Sequence, residues 1–170
     1  GIDEENIDNE AARLRFEWAA RDDLSIGLTL NATLMEQHGE GSQLILARPR
    51  HLAAMEVFDA QTSADPYDEL TAKNEQGRVS RDAYDVTLKA DWTFAGEYTL
   101  TSITNYSWLD EKVRLDADFS PIPFLILDNN EELRQYSQEL RVTSPPGIIE
   151  FVTGLFRIFK PTTTSASFSS

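Results

Sequence analysis

Two stretches decide the fold: Leu24-Ser-Ile-Gly-Leu-Thr-Leu-Asn-Ala-Thr-Leu34 and Tyr84-Asp-Val-Thr-Leu-Lys-Ala-Asp-Trp-Thr-Phe94. In both, every even position is apolar or aromatic. The odd positions hold Ser25, Gly27, Thr29, Asn31 and Thr33, then Asp85, Thr87, Lys89, Asp91 and Thr93. The same phase runs through Ala12, Leu14, Phe16, Trp18 and Ala20, interleaved with Arg13, Arg15, Glu17 and Ala19. All 17 even positions of these three segments are apolar, where a 41% hydrophobic composition would place about 7. A helix repeats every 3.6 residues and cannot produce this pattern; a strand, with period two, does.

Outward from these segments the connections alternate in length. Arg21-Asp22-Asp23 and Ala95-Gly96-Glu97 are tight turns, whereas roughly His38 to Arg81 is long, charged and punctuated by Gly39, Gly41, Pro49, Pro66 and Gly77. Its middle, His51 to Phe58, predicts a short helix. A fourth segment, Tyr98–Trp108, puts Tyr98, Leu100, Tyr106 and Trp108 on one face. Ser102 and Thr104 interrupt that face, and Ile103 falls on the other. A charged extension runs to about Asp118, and a loop is expected from Ser120 through Asn129-Asn130. The fifth segment, Glu132–Thr143, sets Tyr136, Leu140 and Val142 against Ser137, Glu139, Arg141 and Thr143. Ser144-Pro145-Pro146-Gly147 is a turn. The sixth, Ile149–Phe159, is apolar on both faces, so its phase is open. The Ser/Thr-rich end from Pro161 to Ser170 has no packing pattern and is expected to be unstructured. The organisation expected is one β domain over 1–160 and a tail over 161–170.

Segments of about 10–12 residues suit a tilted crossing of a ~30 Å hydrocarbon layer, and soluble strands are usually nearer 5–6. Alternating short and long connections put all tight turns at one end, as in outer-membrane barrels. Trp18, Tyr84, Trp92, Phe94, Tyr98, Tyr106 and Trp108 fall where interfacial girdles would lie. The expected fold class is therefore all-β, an antiparallel transmembrane β-barrel segment of about six strands, its apolar face toward lipid and its polar face toward a wet lumen. A soluble sandwich or lipocalin-like barrel, acting as a ligand-binding module, remains open as the alternative.

Composition narrows the function. A net charge of −14 argues against a nucleic-acid partner. Much of the acid falls in the long connections, including Asp59, Asp65, Asp68, Glu69, Asp116 and Asp118. No unbroken apolar run exceeds four residues, as in Phe124–Leu127, which excludes a spanning helix. There are no cysteines, hence no disulfide or thiolate chemistry. The first residues carry no basic or apolar export signal, which suggests a mature form or a piece of a longer chain. Neither a nucleophile elbow, nor a zinc-binding H-E-x-x-H, nor a P-loop occurs, so no enzyme and no cofactor are expected. Asn31-Ala-Thr33 and Asn105-Tyr-Ser107 match a glycosylation pattern but lie inside strands and read as chance.

Candidate binding residues are few. Arg48, Arg50 and His51 form a basic island in an acidic loop, suited to an anionic ligand or lipopolysaccharide phosphates. Asp116 and Asp118 could take a cation, but no EF-hand-like spacing is present and a solvated charged loop is the simpler reading. His38 and His51 lack a partner motif and read as loop residues rather than metal or haem ligands. On the expected lumen face lie Arg13, Arg15, Glu17, Asp85, Lys89, Asp91, Glu139 and Arg141, with Arg134 assigned there too. Pairing of these charges across neighbouring strands is the simplest expectation.

Longer strings carry a family resemblance. Tyr98-Thr-Leu-Thr-Ser-Ile-Thr-Asn-Tyr106 with Asp118-Phe-Ser-Pro121, Tyr136-Ser-Gln-Glu-Leu-Arg-Val-Thr-Ser144 with Phe151-Val-Thr-Gly-Leu-Phe156, and Arg21-Asp-Asp-Leu-Ser25 resemble TonB-dependent outer-membrane receptors over about Ala12 to Phe156. The resemblance implies part of a barrel of about 22 strands around a plug, in the outer membrane of a Gram-negative bacterium. Such receptors import ferric siderophores, cobalamin, haem or sugars with energy from an inner-membrane complex. The partners implied are outer-membrane lipid, a ferric siderophore or other small ligand, the plug and the TonB system. Plug, TonB box and closing strand are not seen, and Arg157-Ile-Phe-Lys-Pro161 departs from the family pattern. The expectation is an early-to-middle piece of the wall that alone does not transport.

Overall fold

The computed structural model of the chain describes residues 6–39, 44–65, 67, 73–118 and 120–169. Gly41, Pro66, Asp68, Glu69 and Phe119, which enter the sequence reading, lie outside the described residues. The elements in order are β1 (Asn6–Arg21), β2 (Leu24–His38), α1 (Pro49–Met55), β3 (Arg78–Phe94), β4 (Tyr98–Asp116), β5 (Ile126–Thr143), β6 (Val152–Phe159) and β7 (Thr162–Ser169). They form one antiparallel sheet in the order β1-β2-β3-β4-β5-β6, with β7 also paired to β5. The sheet is all-β, as its alternation requires, and it is open. α1, the short helix expected near His51, has seven residues and starts on Pro49, the first-turn position where a missing N–H costs nothing.

The seventh strand corrects the expectation of an unstructured tail. β6 and β7 lie end to end along β5 in one register, with Phe159 opposite Tyr136 and Thr162 opposite Leu133. Pro161 interrupts them. The Arg134 amide donates to the Pro161 carbonyl at 3.2 Å, but proline returns no hydrogen bond, so one rung of the ladder is missing. The sheet thus has six lanes, as expected, and the last is a broken edge strand. Threonine suits a strand without needing an apolar face, which is why the pattern gave no warning.

Strands also run further than the alternation shows. β1 begins at Asn6, β3 at Arg78, and β5 at Ile126, where a loop through Asn130 was expected. The β4–β5 ladder continues to Asp116 opposite Ile126. Registers keep even residues beside even residues from β1 to β5. Between β5 and β6 the parity changes, since Leu140 faces Leu155 and Glu139 faces Phe156. This settles the phase of the last lane. Leu155, Arg157 and Phe159 share the face of the apolar even residues, and Val152, Phe156 and Ile158 share the polar face.

The ladders bring the Asp22-Asp23, Ala95–Glu97 and 144–151 connections to one end. The two long connections, 39–77 and 117–125, meet at the other. Ala95, Gly96 and Glu97 all adopt positive φ, 41°, 82° and 74°, a left-handed corner that only glycine takes without strain.

Candidate functional site

The two faces of the sheet differ in chemistry, and one of them differs along its height. On the even face, Leu14, Leu30, Val86, Tyr106 and Tyr136 form one row, and Phe16, Leu28 and Leu88 continue in the next. Among the described residues nothing packs over this face: Phe16 is 58% and Trp18 65% exposed. Aromatic rings mark both its edges. Tyr84 stacks on Trp108 at 5.4 Å on the side of the long connections. Trp92, Phe94, Tyr98 and Phe151 form a chain of rings 5.1–6.3 Å apart on the side of the turns.

Both rim tryptophans point their N–H to a carboxylate outside the band. Trp92 Nε1 donates to Asp23 at 3.0 Å and Trp108 Nε1 to Glu132 at 3.1 Å. Tyr84 to Phe94 spans the band in ten residue steps. At ~3.3 Å per residue the strand covers about 33 Å along its own axis between these two rings. Beyond Tyr84 the same face becomes largely charged, with Glu10, Leu34, Asp82, Asp110 and Glu132 in one row.

Polar residues interrupt the band on the β4–β6 side. Thr104 donates to Gln138 at 2.6 Å, and Gln138 donates to Ser102 at 3.1 Å. Arg157 lies opposite Gln138, at mid-height in the same polar strip. Arg134 also lies on this face, in the row of Tyr84 and Trp108, with its Nε 2.6 Å from Glu132. This overturns its assignment to the other face: even parity holds along β5, and 134 is an even position.

Registers place Arg13, Arg15, Glu17, Asp85, Lys89, Asp91, Glu139 and Arg141 together on the odd face. Arg81 and Glu111, directly opposed on this face, do pair across strands, but among the eight charges just named the expected cross-strand pairing does not form. Arg15 pairs with Glu17, Lys89 with Asp91 at 2.8 Å, and Arg141 with Glu139 at 3.8 Å, each along its own strand. The reason is register: Lys89 faces Gly27 and Ile103, Glu139 faces Ile103 and Phe156, and Arg141 faces Thr101 and Gly154. With neutral neighbours across the ladder, each charge turns to the residue two positions along. Such exposed pairs contribute about 0–1 kcal/mol each. An open hollow of about 510 Å³ lies among Arg15, Glu17, Thr29, Thr87, Lys89 and Asp91.

Asp85 is the hub of this face. Asn31 donates to it at 2.9 Å, Ser107 at 2.9 Å, Thr87 at 3.3 Å, and Asn105 donates to it as well. The sequence reading missed this network. Its signal is Asn105 and Ser107, spaced two apart within a strand and so on one face, a pair that also happens to match the glycosylation pattern. The same face carries an apolar stripe on β6, Val152, Phe156 and Ile158, all exposed. Gly154 sits between them because β5 approaches closely. A Cβ there would collide with the Leu140 carbonyl oxygen and lie 3.1 Å from the Arg141 Cα.

The loop candidates separate into two groups. Arg48, Arg50 and His51 stay together and exposed at the start of α1. His38 lies apart from them in sequence and structure, at the end of β2 opposite Arg78. Asp116 is fully buried, and it holds loops rather than facing a ligand. It accepts from the Asn74 amide at 3.3 Å and from the Asp118 amide at 3.1 Å. With its side-chain amide turned to satisfy both partners, Asn74 also donates to Asp116 at 3.0 Å and to the Ser120 carbonyl at 3.3 Å. Asp118 accepts from Ser120 Oγ and from the Leu125 amide at 2.8 Å. Arg114 completes the seam, 3.2 Å from Glu75 and 3.3 Å from Asp128. The hydrogen bond and charge of Glu75, and then the charge of Asp128, hold its guanidinium pKa above the ordinary value. Among the described residues no three His, Asp or Glu side chains gather to hold a metal ion. The chain matches no protein-family model and no curated protein.

Proposed function

We propose that this chain is part of the wall of an outer-membrane TonB-dependent receptor, which takes up a ferric siderophore or a similar large nutrient. The observation that carries the membrane part is the band: uncovered apolar surface ten residue steps long, which at the ~40° tilt of a membrane barrel would stand about 25 Å tall, with aromatic rows at both edges and strands that continue past one of them as charged sheet. Lipid would cover the band, and a wet interior would lie against the Asp85 network. The long connections, stitched together by Asp116 and Asn74, would stand outside the cell. The receptor part rests on the resemblance of the Tyr98–Tyr106 and Tyr136–Phe156 strings. In this reading the chain is not an enzyme and is not transport-competent alone, since both sheet edges are open.

The alternative is a soluble all-β binding module in which a second layer covers the even face. Arg157 and the Ser102–Thr104–Gln138 strip favour it, because charge at mid-height is costly in lipid. Fractionation separates the two. Directed to the envelope of a Gram-negative cell, the protein is expected in the outer membrane and released only by detergent. Recovery in the aqueous fraction would sink the wall reading. Cells carrying the whole receptor would then take up labelled ferric siderophore, with uptake lost on removal of the energy-coupling complex.

A further inference from the structure

We infer that the turn between β5 and β6, residues 144–151, inserts into the lipid headgroup boundary on the short-turn side of the sheet; this rests on the wall reading above. The other two short connections are polar or small. Asp22-Asp23 carries an Arg21–Asp23 ion pair at 3.1 Å, and Ala95-Gly96-Glu97 has no large apolar side chain. The third is different. Ile148 is 106% and Ile149 80% exposed, so neither contributes to packing within the chain. A soluble turn of this kind gains nothing from two isoleucines at its tip and exposes their full apolar area to water.

The turn is closed at its base. Ser144 N donates to the Phe151 carbonyl at 3.0 Å, and the Phe151 amide donates to Ser144 Oγ at 2.9 Å. Its one acidic side chain, Glu150, is engaged inside the turn by the Gly147 amide at 3.3 Å. Pro145 and Pro146 limit how far the backbone can rearrange. The result is a short, stiff loop with apolar residues at its tip. Phe151, at the base, packs on Tyr98 at 6.3 Å and so ends the ring chain that begins at Trp92. The loop therefore leaves the sheet at the aromatic edge of the band, where interfacial residues meet headgroups. That continuity selects a phospholipid surface as the occupant, in the manner of interfacial apolar anchors.

The chain has no cysteine, which gives a clean test. Single variants Ile149→Cys, Leu88→Cys and Asp22→Cys of the full chain are labelled with bimane and reconstituted in phosphatidylethanolamine–phosphatidylglycerol vesicles. Quenching by doxyl-labelled lipid and by aqueous iodide is then compared. The expected result is lipid quenching at 149 comparable with that at 88, and iodide quenching at 22. If 88 is quenched by lipid while 149 follows 22, the turn stands in water and the inference falls while the wall reading stands. If 149 is shielded from both quenchers, a protein covers it and the lipid assignment is wrong. If 88 is not quenched by lipid, the wall reading fails and takes the inference with it.

Discussion

The two halves of β3 sit in one continuous ladder and differ completely in what they tell a reader. From Tyr84 to Phe94 every even residue is apolar, whereas from Arg78 to Ala83 the even positions hold Arg78, Ser80 and Asp82. The hydrogen bonding does not change between them: Asp82 faces Asp110 as regularly as Leu88 faces Thr104. The ladder is therefore set by backbone pairing, and the composition of the even face by what lies against it. At Tyr84 and Trp108 the even face passes from apolar to charged within one continuous ladder.

The comparison breaks first under a charge. Leu28→Arg or Leu88→Arg, facing each other in mid-band, should cost about 2–4 kcal/mol in the membrane. Ser80→Arg, on the same face beyond the aromatic edge, should stay within about 0.5 kcal/mol, as surface substitutions do. Thr87→Arg, on the odd face of the same strand, should be milder than Leu88→Arg. Urea titration in vesicles measures all of them, and equal costs at 80 and 88 would erase the distinction between the halves.

A backbone test follows. Gly154→Ala should cost about 1–3 kcal/mol by overpacking against Leu140 and Arg141, and Gly27→Ala should be close to neutral, its nearest contact being 3.9 Å from the Phe16 carbonyl oxygen. Both lie within the height of the band, between its two aromatic edges, so a reversed order would mean that β5 and β6 do not approach as described.

The outer half has its own weak point. Asp116→Ala leaves the Asn74 and Asp118 amides without their acceptor and should cost about 1–3 kcal/mol. Faster amide exchange should be confined to 73–77 and 117–125 while the band stays protected; loosening of both halves together would contradict the division. The smallest effect is expected at the turn. Glu97→Asn at φ 74° should raise stability by a few tenths of a kcal/mol, because asparagine tolerates the left-handed region better. No gain in the unfolding midpoint would mean that the corner is not strained.

Legibility in the sequence follows the same boundary. β1, β2 and β3 were readable where lipid or another apolar surround would select every second residue. Their extensions past the aromatic edge were not, because no period runs through Asp8 in β1, Glu36 in β2 or Ser80 in β3. The start of β5 hid behind Asn129-Asn130, which read as loop, and β7 hid behind threonine and serine. Parity alone puts the charges of the odd face on one side of the sheet, and the registers agree except for Arg134. Their partners were not legible, because pairing depends on what register sets opposite each one. Asp116 reads in the sequence as a solvated loop carboxylate because sequence carries no burial, and only the structure shows it closed inside the seam.

The central claim is that the even face of the lower half meets lipid. The most direct test is a spin-label scan of β3 in vesicles, residues 78–94, recording collision with oxygen and with a water-soluble nickel chelate at each site. The account predicts a period-two pattern from 84 to 94, with oxygen access highest at 86, 88 and 90 and nickel access at 85, 87 and 89, and loss of the oxygen peaks from 78 to 83. If 86, 88 and 90 are reached by the nickel chelate, or are closed to both probes as in a protein core, the claim is contradicted.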